Sequence, residues 1–362
     1  MRIGLRLGRK LSGGMASFVR NLGSAIDAID GHSVVYLCIG EKSSDLIGEQ
    51  VAFGAKRRVD EYRLDFRKLG EWCDDNAIDA LVCPGNQVAN TGGKTLWWPL
   101  TVAPFEELAL NMVSEGPLGR LRWQGVRRSL ALSARSSDKV VFSSNYARAL
   151  YGASLGEAIS RKPTIVLRPT TSIDIVPREV EQPPYLLTVS NFNRYKFVEE
   201  MLNGFSKSQN LLDGWKFKLA GRFPVKDYEE SVRSLVADLG IEGSVEFLGE
   251  MEPSDFPSLY SGAAGFVFAS VSENAASYTV IDALAYGIPT ASSYYSSTPE
   301  ILGNSVSYFD PFSPDSVADS LRELATDSEA KRLSSAALKR SERFPTWDKI
   351  AQSLIDFATS GA

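Results

Sequence analysis

The 362-residue sequence contains one histidine, His32. It stands in DGHSVVYL, ahead of an apolar run, and reads as a loop residue at the start of a strand. That placement leaves no histidine for a Ser-His-Asp or Cys-His site, and one imidazole cannot build a multi-histidine metal centre. Cysteine is nearly as scarce. Cys38, Cys73 and Cys83 are odd in number and lack metal or redox spacing, so they read as reduced thiols of a cytoplasmic protein. No window approaches 18 uninterrupted apolar residues, so no segment is expected to span a membrane. The opening MRIGLRLGRKLSGG is interrupted by charges before the apolar core of a secretory signal can form. Positive charge is not in excess either. Lys and Arg number 39 against 44 Asp and Glu, a net charge of −5, which argues against nucleic acid as a partner.

What is present is an ordinary soluble composition, 44% hydrophobic and 23% charged. The length suits two domains, each large enough for its own core. Short apolar runs ending in turn residues lie at 2–8, 33–40, 79–85 and 138–145, with helical patterns between them. Such runs fit strands buried on both faces of a parallel sheet. Pro163, Pro169, Pro177, Pro183 and Pro184 then crowd a polar stretch that reads as a linker, with the boundary near 170–183. The alternation resumes with YLLTVS (185–190) and KFKLAG (216–221), and from Ser313 the pattern is nearly all helical. The expected fold class is α/β, with two Rossmann-like doubly wound domains facing a cleft. The first spans 1–172, the linker 173–184 and the second 185–345. Ligands of such sheets bind beyond the C-terminal ends of the strands, so the loops after Gly8, Ser190, Gly221 and Ser270 are where chemistry is expected.

Three of those loops carry suggestive residues. Gly13 and Gly14 open a helix, where close backbone approach and unbonded first-turn N–H groups attract an anion, although a plain βα turn has the same look. The spacing is not G-x-G-x-x-G, which counts against NAD. Arg194 and Lys196 stand where a strand passes into a helix. They are either diphosphate-neutralising cations or ordinary surface charges. In SENAASYTVIDALAYGIPTAS (272–292) the only charges are Glu273 and Asp282. Glu273 follows a strand, and Asp282 is placed in the first turn of a helix over 278–286. A carboxylate at each place suits the hydroxyls of a sugar and of a ribose, with helix N–H groups facing the phosphates between them. The alternative is that Asp282 only complements the helix dipole.

These residues carry a resemblance. From KLAGRFPVKDYEES through SENAASYTVIDALAYGIPTAS to PEILGNSVSYFDPFSPDSVADSLREL, about 110 residues resemble the GT-B glycosyltransferases of the retaining family 4 type. The shared features include ALAYGIP, the PEILG turn and the FDP turn. The family pairs two glutamates with seven residues between them. Aligned on ALAYG, the second falls on Asp282 and the first on Asn274, with Glu273 one place early. The loop's usual glycines are Ala275, Ala276 and Ser277, the usual arginine before Lys196 falls on Asn191, and WWPLTVAPFEEL lacks the cleft histidine of many relatives. The resemblance implies a donor domain in the second half, an acceptor domain in the first, and a C-terminal helix, 346–362, crossing back to the first domain. It implies catalytic roles for Lys196, Arg194 and Glu273. Donor contacts are implied for Gly13, Gly14, Asn191, Arg222, Asn274, Ser277, Tyr278, Thr279 and Asp282. It implies no essential metal, and no D-x-D motif is present.

The expected function is therefore a retaining hexosyltransferase that moves sugar from a nucleotide-diphosphate sugar to a glycan or lipid-linked acceptor, in cell-surface polysaccharide or glycoconjugate synthesis. The donor is a co-substrate, and no cofactor is expected. A nucleotide-sugar 2-epimerase of the same fold and a non-catalytic partner subunit are the alternatives. Residues 118–148 hold seven Arg or Lys against one Asp, with Trp123 and leucines interleaved. In a cytoplasmic protein such a patch can rest on the anionic inner face of a membrane, or be plain surface.

Overall fold

The first sheet of the computed structural model runs β3-β2-β1-β4-β5-β6-β7, and the second β10-β9-β8-β11-β12-β13. All pairings are parallel among the described residues, which are 1–9, 14–57, 60–61, 64, 68–85, 95–113, 116–171 and 173–361. In the first sheet β1 is Arg2–Leu7, β2 Ser33–Cys38, β3 Glu49–Ala52, β4 Ala80–Pro84, β5 Thr95–Trp98, β6 Lys139–Phe142 and β7 Thr164–Val166. In the second β8 is Tyr185–Val189, β9 Lys216–Ala220, β10 Val245–Gly249, β11 Gly265–Phe268, β12 Thr290–Ser293 and β13 Ser307–Phe309. Both sheets reverse direction once, between β1 and β4 and between β8 and β11. The connections that follow the two strands of a reversal leave to opposite sides, and a crevice opens between them.

The expected doubly wound α/β class is what the chain forms. Central strands such as ALVCP and YLLTV are buried at every position, which is why they read as continuous apolar runs. The helices bury one stripe each. Gly204 on Val198–Lys207 faces Pro314–Ala325 so closely that a Cβ would stand 2.4 Å from Val317 Cγ1. Helix starts follow local chemistry. Ser144 accepts from Ala147 N–H at 3.0 Å, and Ser313, followed by Pro314, accepts from Ser316 N–H at 3.2 Å.

The chain divides into two compact units. One holds Met1–Phe105, Gly116–Ser172 and Pro345–Ala362, and the other Glu106–Glu115 and Ile173–Phe344. Residues 106–115, read from their chain position as part of the first domain, group with the second unit. The reason is packing: Met112 lies against the core that includes Phe197 and Met201. The proline-rich stretch also differs from a plain linker. It begins with an edge strand, β7, and its later part is pinned to the second unit, with Glu179 N–H donating to Ser261 O at 3.1 Å and Tyr286 Oη to Asp174 O at 2.8 Å. In the first unit the helix Trp347–Thr359 packs on Gly14–Asp27, Trp347 meeting Phe18 edge-on at 6.0 Å.

Candidate active site

Two loops meet at the reversal of the second sheet. The loop after β8 turns sharply because β8 and β9 end in close contact. Gly221 has φ +131°, and a Cβ there would lie 1.8 Å from Ser190 O, so only glycine fits. Lys196 N–H then donates to Asn193 O at 2.8 Å, making a 3-10 turn over Arg194–Lys196. Val271 N–H, just past β11, donates to Tyr195 O at 3.0 Å and ties the two loops together. Across this junction the Lys196 ammonium forms an ion pair with the Glu273 carboxylate, their side chains 12% and 11% exposed. Burial works to lower the Lys196 pKa. The charges of Glu273 and Tyr195 outweigh it and hold the pKa above the ordinary lysine value. Lys196 is thus a fixed cation at neutral pH, suited to stabilising negative charge and unsuited to accepting a proton.

The loop that carries Glu273 is clasped by hydroxyls. Ser296 Oγ accepts from Glu273 N–H at 3.0 Å, and its own proton reaches Glu106 Oε1 at 2.7 Å or Glu273 O at 2.8 Å. Ser297 Oγ accepts from Ala276 N–H at 2.8 Å and donates to Glu273 O at 2.8 Å. The Ser272 hydroxyl donates to the other Glu106 oxygen. Ala276 and Ser296 hold left-handed backbone, φ +54° and +57°. For residues with a Cβ that costs about 1–3 kcal/mol each, sustained by these bonds.

The helix Tyr278–Ala285 follows, with Ser277 at its N-cap and no acidic residue in its first turn. This corrects the placement of Asp282, which is the fifth helical residue. It is 3% exposed and sits among aromatic rings. Burial first, then the Asp282 charge, push the phenols of Tyr278 and Tyr260 upward. A role for Asp282 as a simple partner of the helix dipole loses its basis, because that effect fades beyond the first turn. Thr279 Oγ1 donates to Ser277 Oγ at 3.1 Å.

Of the residues expected to act, the structure brings Lys196 and Glu273 into contact, with Asn274 half-buried beside them. Lys196 is already engaged with Glu273 in the ligand-free chain. Arg194 stacks over the Tyr228 ring at 4.7 Å. It therefore faces the Lys226–Asp238 helix instead of joining Lys196. Asn191 and Arg222 form their own pair, Arg222 Nε donating to Asn191 Oδ1 at 3.1 Å. Gly14 starts its helix in the first unit, and Gly13 lies outside the described residues. Glu106, Ser296 and Ser297 escaped the sequence reading. Nothing in PFEEL announces a carboxylate that bonds to residues 166 and 190 positions away.

A cavity of about 1300 Å³ opens at the reversal of the first sheet, beyond β1 and β4, lined by Arg6, Arg9, Pro84 and Gly85 among others. The basic segment 118–148 is only partly surface. The helix Gly116–Ser136 exposes Arg120, Arg122 and Leu121, the last 62% exposed. Lys139 instead belongs to buried β6, and its ammonium takes Phe357 O at 2.7 Å at the end of the Trp347–Thr359 helix. Among the described residues no helix is long and apolar enough to cross a membrane, and no group of three His, Cys, Asp or Glu is placed to hold a metal ion.

Comparison with known proteins bears on this geometry. Residues 170–340 match the family model described as glycosyl transferases group 1. The O-antigen chain mannosyltransferase B of Escherichia coli is 27% identical over 133 residues, 36% of this chain and 34% of that protein. The match therefore spans about a third of that relative's length. Among solved structures, sucrose-phosphate synthase from Thermosynechococcus elongatus superposes with a TM-score of 0.76 at 16% identity, covering 98% of this chain and 97% of the other. Anabaena HepE in complex with UDP and glucose gives 0.74 at 14% identity, covering 99% of each. Just under half of the chain thus follows the glycosyl transferases group 1 pattern, and the whole of it has the fold of the GT-B glycosyltransferases.

Proposed function

We propose that this protein is a retaining, metal-independent hexosyltransferase that moves a sugar from a nucleotide diphosphate to a glycan or lipid-linked acceptor. The second unit takes the donor and the first takes the acceptor. The observation that carries this reading is the nearly buried Lys196–Glu273 pair at the β8/β11 reversal, beside the start of the Tyr278–Ala285 helix and inside the matched segment. Lys196 is a permanent cation, held by a carboxylate that can rotate toward a sugar when a diphosphate takes its place. With the helix N–H groups it stabilises the charge growing on the leaving diphosphate. The leaving group itself accepts the proton of the acceptor hydroxyl, so the new bond forms on the face from which the old one departs. No histidine is needed. The E. coli relative's name and the UDP and glucose bound by HepE support the substrate class.

The test is turnover of nucleotide sugars against a panel of acceptors. Expected are free nucleotide diphosphate and an acceptor-dependent product with the donor's anomeric configuration, both undiminished by EDTA. Epimerised donor without acceptor, no turnover at all, or a strict need for Mn or Mg would each overturn the reading.

Asp282 gives a second test. We assign it to the ribose hydroxyls, an interaction present before and throughout the reaction, hence uniform binding. Asp282→Asn keeps the size and loses charge-assisted hydrogen bonds. Donor KM should rise about tenfold, with turnover changed far less, the equivalent of about 1.4 kcal/mol. Calorimetric binding of the nucleotide diphosphate as tight as wild type, in a variant with a wild-type melting profile, removes Asp282 from the site.

A further inference from the structure

Among the described residues, cations outnumber carboxylates in the lining of the first unit's cavity, in a chain of net charge −5. Its floor is Arg6, 3% exposed, on a strand whose neighbours Leu5 and Leu7 are buried and apolar. A strand that only built the sheet would carry an apolar residue there too. Arg6 Nη2 donates to Glu61 Oε1 at 2.9 Å, and Arg9 Nε lies 3.4 Å from Glu61 Oε2. The Glu61 carboxylate thus meets both guanidiniums. Lys56, Arg122 and Glu41 also line the cavity, so among the described residues the lining holds four cations and two carboxylates. Arg9 is held in place. Its Nη1 donates to Lys56 O at 3.0 Å, and a Cβ at Gly40 would come within 2.5 Å of Arg9 O, so the approach requires glycine. The helix Gly14–Asp27 borders the cavity through Met15 and has no acidic residue in its first turn, so its positive end meets no carboxylate of its own first turn.

We propose that this cavity binds an anionic group, phosphate or carboxylate, carried by the acceptor. The inference rests on the reading that the first unit takes the acceptor, and it narrows the acceptor to an acidic or phosphorylated saccharide. Guanidinium forks suit both groups, and the fixed Arg9 spends little entropy in binding either. About 1300 Å³ also accommodates the sugar to which the group is attached.

Calorimetry on the full chain tests this with glucose 1-phosphate, glucuronate and methyl glucoside as probes. At least one anionic probe should bind ten-fold or more tighter than the neutral glucoside and weaken with salt. Which of the two anions binds tighter identifies the group. Arg9→Gln and Arg122→Gln should each weaken that probe about tenfold, equivalent to about 1.4 kcal/mol. Arg122 is on an exposed helix face, so its variant stays informative if Arg9→Gln folds poorly, and losses in these variants locate the anion here instead of at Lys196. Equal affinity for neutral and anionic probes, or wild-type affinity in the folded double variant, would overturn the inference. Titration of UDP, GDP, ADP and dTDP into wild-type protein separates it from the donor reading. Nucleotide binding without anion selectivity defeats the cavity alone, and anion selectivity without nucleotide binding defeats the donor site alone.

Discussion

Lys196→Ala is expected to lower turnover by roughly 100-fold or more, the scale of losing a preorganised charge contact to a leaving group. It is also expected to destabilise the ligand-free protein, and the ion pair is the reason. Glu273 is nearly buried and its carboxylate is matched to the Lys196 ammonium. Removing one member of such a pair leaves the other without its counter-charge, at a cost of about 3 kcal/mol. A fall in turnover alone would thus mix two effects. The double variant Lys196→Met/Glu273→Gln separates them, because it removes both charges and keeps much of the volume. Its melting temperature should return close to wild type while its turnover stays at the single-variant level. If Lys196→Ala folds and turns over near the wild-type rate, the essential cation lies elsewhere, with Arg194 the next residue to test. If the double variant melts as low as the single one, the pair is not what Lys196 contributes to stability.

Much of this site was legible in the sequence, and the illegible part has a common cause. The central strands announced themselves because burial on both faces demands continuous apolar runs. The edge strands EQVA and SYF did not, since an edge needs no such run. Lys196 stood out as a charge where a strand passes into a helix, and Glu273 as a charge at a strand end in a loop of small residues. That they form a pair did not, because 77 positions separate them and only the β8/β11 adjacency brings them together. Asp282 was singled out by type and misplaced by depth. The helix begins at Tyr278, which puts position 282 a turn further in, on the buried side. The Arg6 signal was present, an arginine between the leucines of RIGLRLG, and its partner Glu61 lies 55 positions away. Periodicity reports what faces a core. It does not report which loop ends share a crevice.

Glu106 shows the same point most sharply, and it carries the second large expectation. It enters the second unit from a stretch flanked on both sides by the first. Its two oxygens accept from Ser272 and Ser296, and its carbonyl accepts from Leu110 N–H at 2.9 Å, starting the Glu107–Val113 helix. That helix packs on the Arg194–Lys196 turn. Glu106 therefore ties both loops together: its side chain holds the loop that presents Glu273, and the helix it starts packs on the turn that presents Lys196. Glu106→Ala should remove two charge-assisted hydrogen bonds, worth about 1.5–3 kcal/mol each. The left-handed Ser296 and Ala276 can then relax. A displacement of about 1 Å at the reacting centre costs on the order of 100-fold in rate, so turnover should fall between about 10-fold and 100-fold. Because the loss is one of positioning, kcat should fall more than donor KM rises. Glu106→Gln keeps one acceptor oxygen and should recover part of the rate, which a role as a bare charge would not allow. Equal losses in Glu106→Ala and Glu106→Gln would show that the charge itself matters at the reacting centre. Wild-type kcat in a folded Glu106→Ala protein would show that the loops hold their places without it.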